Sequence, residues 1–381
     1  MIRLGVIADE FFDHSLGRMG GFGWAARQVA QAFADPALGV EVVYLAGELR
    51  AEPGRDEARA HGCRVLLRRS TRLANLRMVR RERFDVLLTI DYNLSHSVYL
   101  RSLPRTPAIV WVRDPRTPDD VRKVYSLKIP GAGGETPQGL ECIDCRSAAQ
   151  IAREAAWFGR PLSFASPAPH LVAKLEDAYG FEPYDFYVLP NAIEFEREAD
   201  KSGRPTVVFL GRLDPIKRPW LFAELARRFP EVEFLFLGQP HFAGPGAWHP
   251  DGLPANVRLL GHVGETDKKR ILSEAWVAVN TSIHEGLAIS FLEALACETP
   301  LLTCQDPGFV VSRYGIYTGR FDGDGMASLD AFECGLRTLL ADAEMRASLG
   351  ASGRAWVRAN HTRERFVESF FRLCRLGGVA P

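Results

Sequence analysis

The sequence predicts an α/β protein of two similar halves, each a parallel sheet with helices, facing across a cleft. Three observations carry this. At 381 residues the chain is too long for one ordinary core and suits two. Short apolar runs alternate with helical stretches in both halves, as parallel strands joined by crossover helices require. A densely charged stretch, Glu194–Pro205, which closes on Ser-Gly-Arg-Pro, separates the two series as a linker.

In the first half, strands are expected at Leu4–Ala8, Val40–Leu45, Phe84–Ile90 and Ala108–Val112. Each is nearly continuous in apolar residues, which fits strands covered on both faces. A Gly-rich turn and a helix at Trp24–Phe33 join the first two. The segment Arg113–Arg146, rich in Pro, Gly and Asp, breaks the rhythm and reads as a long functional loop or a local subdomain. Patterning resumes at Leu162, with a helix at His170–Tyr179 and a strand at Phe186–Leu189. In the second half, strands are expected at Thr206–Leu210, Glu233–Leu237, Val257–Leu260, Val277–Thr281 and Pro300–Thr303. Helices at Trp220–Phe229, Asp267–Ser273 and Ser290–Ala296 lie between them, and helical patterns fill Leu329 to Arg375.

Composition narrows the function. The chain has 47 basic and 47 acidic residues, so global charge does not point to a nucleic-acid partner. No apolar run approaches the roughly 18–20 residues needed to span a bilayer. The start, MIRLGVIADEFF, reads as a first strand rather than a signal peptide, so a cytoplasmic protein is expected. Five of the seven cysteines, Cys63, Cys297, Cys304, Cys334 and Cys374, stand singly, as reduced thiols do. Cys142 and Cys145 form one C-x-x-C pair with no second pair after it, and so read as ordinary thiols rather than a zinc site.

Three motifs carry chemistry. The first runs from His284 through Glu285-Gly286-Leu287-Ala288-Ile289 to Glu293, directly after a strand. A helix N-terminus offers unpaired N–H groups and partial positive charge to a diphosphate or sugar oxygen. The two glutamates, with seven residues between them, can accept hydrogen bonds from hydroxyls flanking that anion, a sugar hydroxyl for Glu285 and a ribose diol for Glu293. The second is Gly211-Arg212 with Lys217, again at a strand end, where two cations can neutralise a diphosphate leaving group. The third is the glycine loop Gly17-Arg18-Met19-Gly20-Gly21-Phe22-Gly23, after the first strand and before a helix. Its spacing does not match the dinucleotide fingerprint. Each motif also has a bland reading, as a capped surface helix, surface cations or an ordinary turn.

Taken together, in this order and each at a strand end, the motifs resemble glycosyltransferase family 4 of the GT-B fold. The likeness extends over nearly the whole chain. Gly20-Gly21 resembles that family's N-terminal glycine loop, and Ser163–Leu175 with Leu189-Pro190-Asn191 resembles the stretch before its linker. The resemblance implies two Rossmann-like domains facing across a donor/acceptor cleft: an acceptor-side domain at 1–193 and a donor domain at 204–360, with 361–381 returning as a helix to the first. It implies a retaining transfer, metal-independent and without cofactor, from a UDP-, GDP- or ADP-linked sugar to a glycan, lipid-linked or small-molecule acceptor. Arg212 and Lys217 would bind the diphosphate, Glu285 the donor sugar and Glu293 the ribose. Gly286, Leu287, Ala288 and Ile289 would offer backbone N–H groups, Gly211 the turn, and Val263 a surface for the base. Where many relatives place His-Asp near the donor sugar, this chain has Arg113-Asp114, and an arginine cannot act as a base, although its charge can stabilise.

Asp322-Gly323-Asp324 spells the metal-binding D-x-D of another transferase fold, but it lies late, in a Gly-rich turn. His96 and His262 read as polar loop residues rather than metal ligands. The segment 64–83 holds eight arginines and one acidic residue, Glu82. Leu73, Leu76 and Val79 would face the domain, with Arg72, Arg77, Arg80, Arg81 and Arg83 outward. Such a face suits an anionic acceptor or peripheral contact with the inner membrane face. Three other readings remain open: a nucleotide-sugar epimerase of the same fold, a non-catalytic nucleotide-sugar-binding partner, and an NAD-dependent dehydrogenase.

Overall fold

The computed structural model describes residues 1–13, 16, 20–52, 54–131, 135–137, 145–179, 185–195 and 200–379. The chain divides into two compact units. The first comprises Met1–Arg116, Ile143–Ala192 and His361–Pro381, and the second Thr117–Cys142 with Ile193–Asn360.

The first series contains β1 (Ile2–Ala8), α1 (Gly21–Ala32), β2 (Val40–Arg50), β3 (Glu57–Ala60), β4 (Cys63–Arg68), α2 (Arg72–Glu82) and β5 (Val86–Ile90). It continues with α3 (Ser97–Ser102), β6 (Ala108–Trp111), α4 (Pro118–Tyr125), α5 (Cys145–Phe158), β7 (Leu162–Ser166), α6 (Pro169–Tyr179) and β8 (Phe186–Val188). Its strands form one sheet in the order β3-β4-β2-β1-β5-β6-β7-β8, parallel except where β3 pairs with β4. β1 lies at the centre, in register with β2 from Ile2 opposite Val40 to Ala8 opposite Ala46. All five residues of β5 and all four of β6 are buried, as parallel strands covered on both faces should be.

The second series contains β9 (Thr206–Leu210), α7 (Pro219–Arg227), β10 (Glu233–Leu237), β11 (Val257–Leu259), α8 (Glu265–Glu274), β12 (Val277–Asn280) and α9 (Ile289–Ala296). Then follow β13 (Leu301–Thr303), α10 (Val310–Tyr314), β14 (Gly315–Tyr317), α11 (Leu329–Ala341), α12 (Ala343–Asn360) and α13 (Arg363–Leu376). The sheet order is β11-β10-β9-β12-β13-β14, all parallel. The strand order reverses at β9, between β10 and β12, and in such sheets ligands bind outside the carboxyl ends at that reversal. A cluster of Phe209, Phe222, Phe234 and Phe236 fills the core behind this edge. These two parallel α/β sheets are the architecture the sequence predicts.

Two segments depart from the sequence reading, and the C-terminal one does not. Residues 117–142 lie within the first half of the sequence but are counted with the second unit, because Val124 and Leu127 pack with Ile216, Trp220, Leu221 and Ile283. The arginine-rich segment is a strand before it is a helix. Arg64 lies in β4 and pairs with Glu57 and Glu82, and Arg69 pairs with Asp56. In α2 the inward face is Asn75, Met78 and Val79 rather than Leu73, Leu76 and Val79, and Leu73 is 55% exposed. Thr71 caps the helix by accepting from Ala74 N, and Asn75 turns inward to the backbone of Arg69 and Thr71, which sets that phase. The C-terminal α13 is counted with the first unit, where Phe366 and Phe370 pack against Phe33, and Phe366 also meets Trp111.

Candidate functional site

At the carboxyl end of β9 the chain turns through Gly211. Gly238, at the end of β10, has φ +149°, and a Cβ there would collide with the Gly211 carbonyl oxygen, so the two strand ends approach as only glycine permits. Arg212 follows. Its Nε lies 3.2 Å from Asp214 Oδ2, and its Nη1 donates to His241 Nδ1 at 3.1 Å. Asp214 is buried and accepts His241 N at 2.9 Å, so Arg212 is braced from two sides.

Lys217 ends a single helical turn, Pro215–Lys217, and does not share Arg212's partners. Its Nζ donates to Glu285 Oε1 at 2.6 Å. The same oxygen accepts from Ser282 Oγ at 2.5 Å and Asn280 Nδ2 at 3.1 Å. Burial pushes the Glu285 carboxyl upward, but the Lys217 charge and these three bonds outweigh it and hold it below the usual carboxylate range. All three donors act on Oε1, so Oε2 remains available to a ligand hydroxyl.

Arg218 is the residue the sequence reading missed. It is fully buried in a left-handed conformation, φ 45°. It donates to the carbonyls of Thr281 (2.8 Å), Ser282 (3.1 Å) and Phe321 (2.8 Å) and to Cys304 Sγ (3.0 Å). Thr281 Oγ1 returns bonds to the carbonyls of Lys217 and Arg218. The ends of β9, β12 and β13 are thereby fastened together beneath the Lys217–Glu285 pair. Nothing in Lys-Arg-Pro distinguishes this arginine from a surface cation.

Gly286 and Leu287 are buried, and Ala288 is the N-cap of α9. Alanine brings no side-chain acceptor, so the first-turn N–H groups of α9 face the strand ends without a side-chain cap. Glu293 lies on α9, where Lys268 Nζ donates to its Oε1 at 2.6 Å and meets Glu265 at 3.0 Å. Burial lowers the Lys268 pKa, but the two carboxylates more than offset this and keep it above the ordinary lysine value. The Glu265/Lys268 spacing was visible in α8, but its reach to Glu293 was not. Val263 is half-buried before α8, in a turn joined to β10 by Gly238 N donating to Gly261 O at 2.8 Å.

The first unit has its own carboxyl edge. Gly20 is the N-cap of α1, and Gly23 N donates to Glu10 Oε2 at 3.2 Å. The start of α1, after the glycine loop, therefore holds the chain's own carboxylate; Gly17, Arg18 and Met19 lie outside the described residues. Arg113 follows β6, buried, with its guanidinium 4.2 Å above the Trp111 ring. Burial lowers it to about 9, with Asp91 opposing. Asp114 Oδ2 accepts from Arg116 Nε at 3.1 Å. Asp91, at φ 58°, is raised to about 7 by burial and then by Asp114. His361 is lowered to about 4 by burial, then by Arg113 and His170. Asp91 and His361 gave no sequence signal.

Of the decoys, Asp322 pairs with Arg320 (3.5 Å), and Asp324 Oδ1 accepts Met326 N at 3.0 Å within its own turn. Among the described residues no group of three or more His, Cys, Asp or Glu is placed to hold a metal ion. Cys142 and the side chain of Cys145 lie outside the described residues. His262 is an exposed loop residue, whereas His96 is buried with Nε2 3.0 Å from Asp9 Oδ2. An acidic partner at the end of β1 draws His96 inward.

The stretch that contains Gly211, Arg212, Lys217, Glu285 and Glu293 also carries a family signature. Residues 191–356 match the glycosyl transferases group 1 family. The chain is also 28% identical over 162 residues to D-inositol 3-phosphate glycosyltransferase of Mycobacterium tuberculosis (strain H37Rv) and of Mycobacterium bovis. That match covers 40% of this chain and 32% of those relatives, so the chain spans about a third of their length. Solved structures align over 98% of the chain. Sucrose-phosphate synthase from Thermosynechococcus elongatus has TM-score 0.73 at 18% identity and is 98% covered. Anabaena HepE in complex with UDP-glucose has TM-score 0.71 at 13% identity and is 99% covered. Pneumococcal O-GlcNAc transferase GtfA, with UDP and GlcNAc, has TM-score 0.69 at 10% identity and is 99% covered. At these identities the likeness is one of fold, and the fold is GT-B.

Proposed function

We propose that this chain is a retaining, metal-independent family 4 glycosyltransferase that moves a sugar from a nucleotide-diphosphate donor to an acceptor hydroxyl. The observation that carries this reading is the Lys217–Glu285 pair, 2.6 Å apart, at the strand-order reversal of the second sheet. Arg212 braces the neighbouring strand end, and α9 begins there without a side-chain cap.

In this reading donor binding exchanges partners. Lys217 turns to the diphosphate, Arg212 joins it, and Glu285 accepts a sugar hydroxyl through Oε2. As the bond from the anomeric carbon to the phosphate oxygen breaks, negative charge grows on the diphosphate. Two fixed cations and the start of α9 meet it, which is the largest single contribution such sites make. The acceptor hydroxyl attacks from the face the leaving group departs and gives its proton to the departing phosphate oxygen, so configuration is kept. Glu293 accepts from the ribose diol, and Val263 backs the base. Arg113 retains its charge at neutral pH and so does not serve as a base. No metal or cofactor is required in this scheme.

The named relatives suggest where to look for ligands. Two neighbours of the fold were solved with UDP-glucose or UDP, so UDP-linked sugars lead the candidates, ahead of GDP- and ADP-linked ones. The acceptor is a glycan, a lipid-linked or a small molecule. The exposed arginines of α2, beside exposed Leu73, favour an anionic one, met in the cytoplasm or at the inner membrane face. No described helix is long and apolar enough to cross a membrane.

A thermal-shift panel of UDP, GDP, ADP and their sugar derivatives tests the reading. Saturation at about 100–1,000 times Kd stabilises the native state by roughly 3–4 kcal/mol, a visible shift. A wild-type protein that responds to none of them, and transfers no sugar, overturns it.

A further inference from the structure

We propose that α4, acting through Asp120, is the positioning element for the Glu285 loop, and that it sets how much the donor's sugar adds to the binding of its nucleotide. The proposal rests on the glycosyltransferase reading. It concerns a helix from the first half of the sequence whose contacts lie in the second unit.

The apolar contact comes first. Val124 and Leu127 join a buried cluster with Ile216, Trp220, Leu221, Ile283 and Leu329. Ile216 directly precedes Lys217, and Ile283 lies two residues before Glu285. Ile283 N donates to Ile216 O at 3.0 Å, so the two segments that carry the ion pair are joined where α4 packs.

Polar contacts then tie α4 to three loops at the carboxyl edge of the second sheet. Asp120 Oδ1 lies 3.4 Å from Nδ1 of His284, which is buried and adjacent to Glu285. Lys123, also buried, donates to Gln305 Oε1 at 3.0 Å, just after β13. Ser126 Oγ accepts Gly323 N at 3.2 Å, and Asp119 Oδ2 accepts from Arg320 Nη1 at 2.8 Å. The exposed Asp119–Arg320 pair adds little net stability, and desolvation offsets much of the attraction in the buried Asp120–His284 contact. They do fix geometry. A buried His284 held by Asp120 restricts the backbone torsions next to Glu285 and so the reach of its carboxylate.

Asp120 divides its work between its two oxygens. Oδ2 closes the capping box of α4, accepting Thr117 N and Thr117 Oγ1, both at 2.8 Å. Oδ1 faces His284. Asp120→Asn therefore leaves an amide oxygen for the cap while removing the charge opposite His284.

The experiment is calorimetric titration of full-length wild type, Asp120→Asn, Asp120→Glu and His284→Gln. UDP, GDP and ADP are each compared with their own sugar derivative. In Asp120→Asn and His284→Gln the affinity for nucleoside diphosphate stays within about threefold of wild type. The extra affinity contributed by the sugar falls roughly tenfold or more, the scale of effect a small misplacement produces. Asp120→Glu restores part of it, and the double variant Asp120→Asn/His284→Gln is no worse than either single one. An unchanged sugar increment in both variants overturns the proposal, as does an equal loss for nucleotide and nucleotide-sugar. If Asp120→Asn does not fold, His284→Gln decides alone. A wild type that binds no nucleotide instead overturns the glycosyltransferase reading, and this proposal with it.

Discussion

Replacing Lys217 with methionine removes an ammonium from Glu285 while keeping the side chain's length. Glu285, 9% exposed, is then held on Oε1 by two neutral donors, Asn280 and Ser282. A hydrogen bond to a charged group contributes about 1.5–3 kcal/mol, and stripping the partner from a fully buried pair costs about 3–5. Lys217 is 22% exposed, so the lower range applies, about 2 kcal/mol near pH 8. For a unit of roughly 200 residues, 1 kcal/mol moves Tm by about 2–4 °C, so a drop of about 4–8 °C is expected. The pH dependence is the sharper signature. In wild type the Glu285 pKa lies below its ordinary value, so its contribution is present above pH 4.5 and is lost as pH falls through the native pKa. In Lys217→Met burial dominates and the native pKa rises above 4.5. The unfolded chain then releases its proton first, and stability falls as pH rises from about 4.5. The deficit relative to wild type should be small near pH 4 and grow toward neutrality. Urea unfolding of wild type, Lys217→Met and Lys217→Met/Glu285→Gln from pH 4 to 8 measures this. A deficit independent of pH, or a double variant less stable than the single one, would refute the reasoning.

Further expectations follow from other parts of the molecule. Arg218→Met leaves three carbonyls and the Cys304 sulfur without their donor and should cost about 3–5 kcal/mol; a wild-type Tm would contradict the clamp. Asp91 is raised to about 7, so the native state holds its proton longer than the unfolded chain, and stability should decline between about pH 4 and 7. Asp91→Asn should flatten that decline, measured by unfolding across pH; a steeper decline would argue the opposite sign. Transferase activity should survive EDTA, and Asp322→Ala should be nearly silent; loss in EDTA restored by manganese or magnesium would return the D-x-D to the site. Sedimentation with anionic but not neutral liposomes, abolished by salt, is expected if the α2 arginines meet a membrane; equal, salt-insensitive recovery in the supernatant leaves only a soluble anionic acceptor.

The two sheets were legible because parallel strands covered on both faces write themselves as apolar runs, and β5, β6, β9, β10, β12 and β13 all do. β3 and β4 were not, since Arg59, Arg64 and Arg68 interrupt the apolar pattern at a sheet edge, where Glu57 and Glu82 pair with Arg64 and the Gly47 carbonyl accepts from Arg68. Motif residues at strand ends were legible by position: Lys217 and Glu285, separated by 67 residues in sequence, meet because β9 and β12 are neighbours. What supports them was not. Arg218, Lys268, Asp120 and His284 are ordinary polar residues whose partners come from distant strands or, for Asp120, from a different half of the chain. No local pattern encodes such a meeting.

The placement of α4 also bears on how the chain is made. Val124 leaves the ribosome 159 positions before Ile283, the last loop residue of the cluster that covers it before the helices of the C-terminal third. At about 5–20 residues per second, that apolar face waits roughly 8–30 s for its partners. During this interval the first sheet can fold, but not close its core, because α13 arrives last of all. Each unit thus depends on a piece synthesised out of turn. A fragment of the second unit started at the linker would lack α4, a fragment of the first unit ended there would lack α13, and each would expose the apolar surface that its missing helix covers.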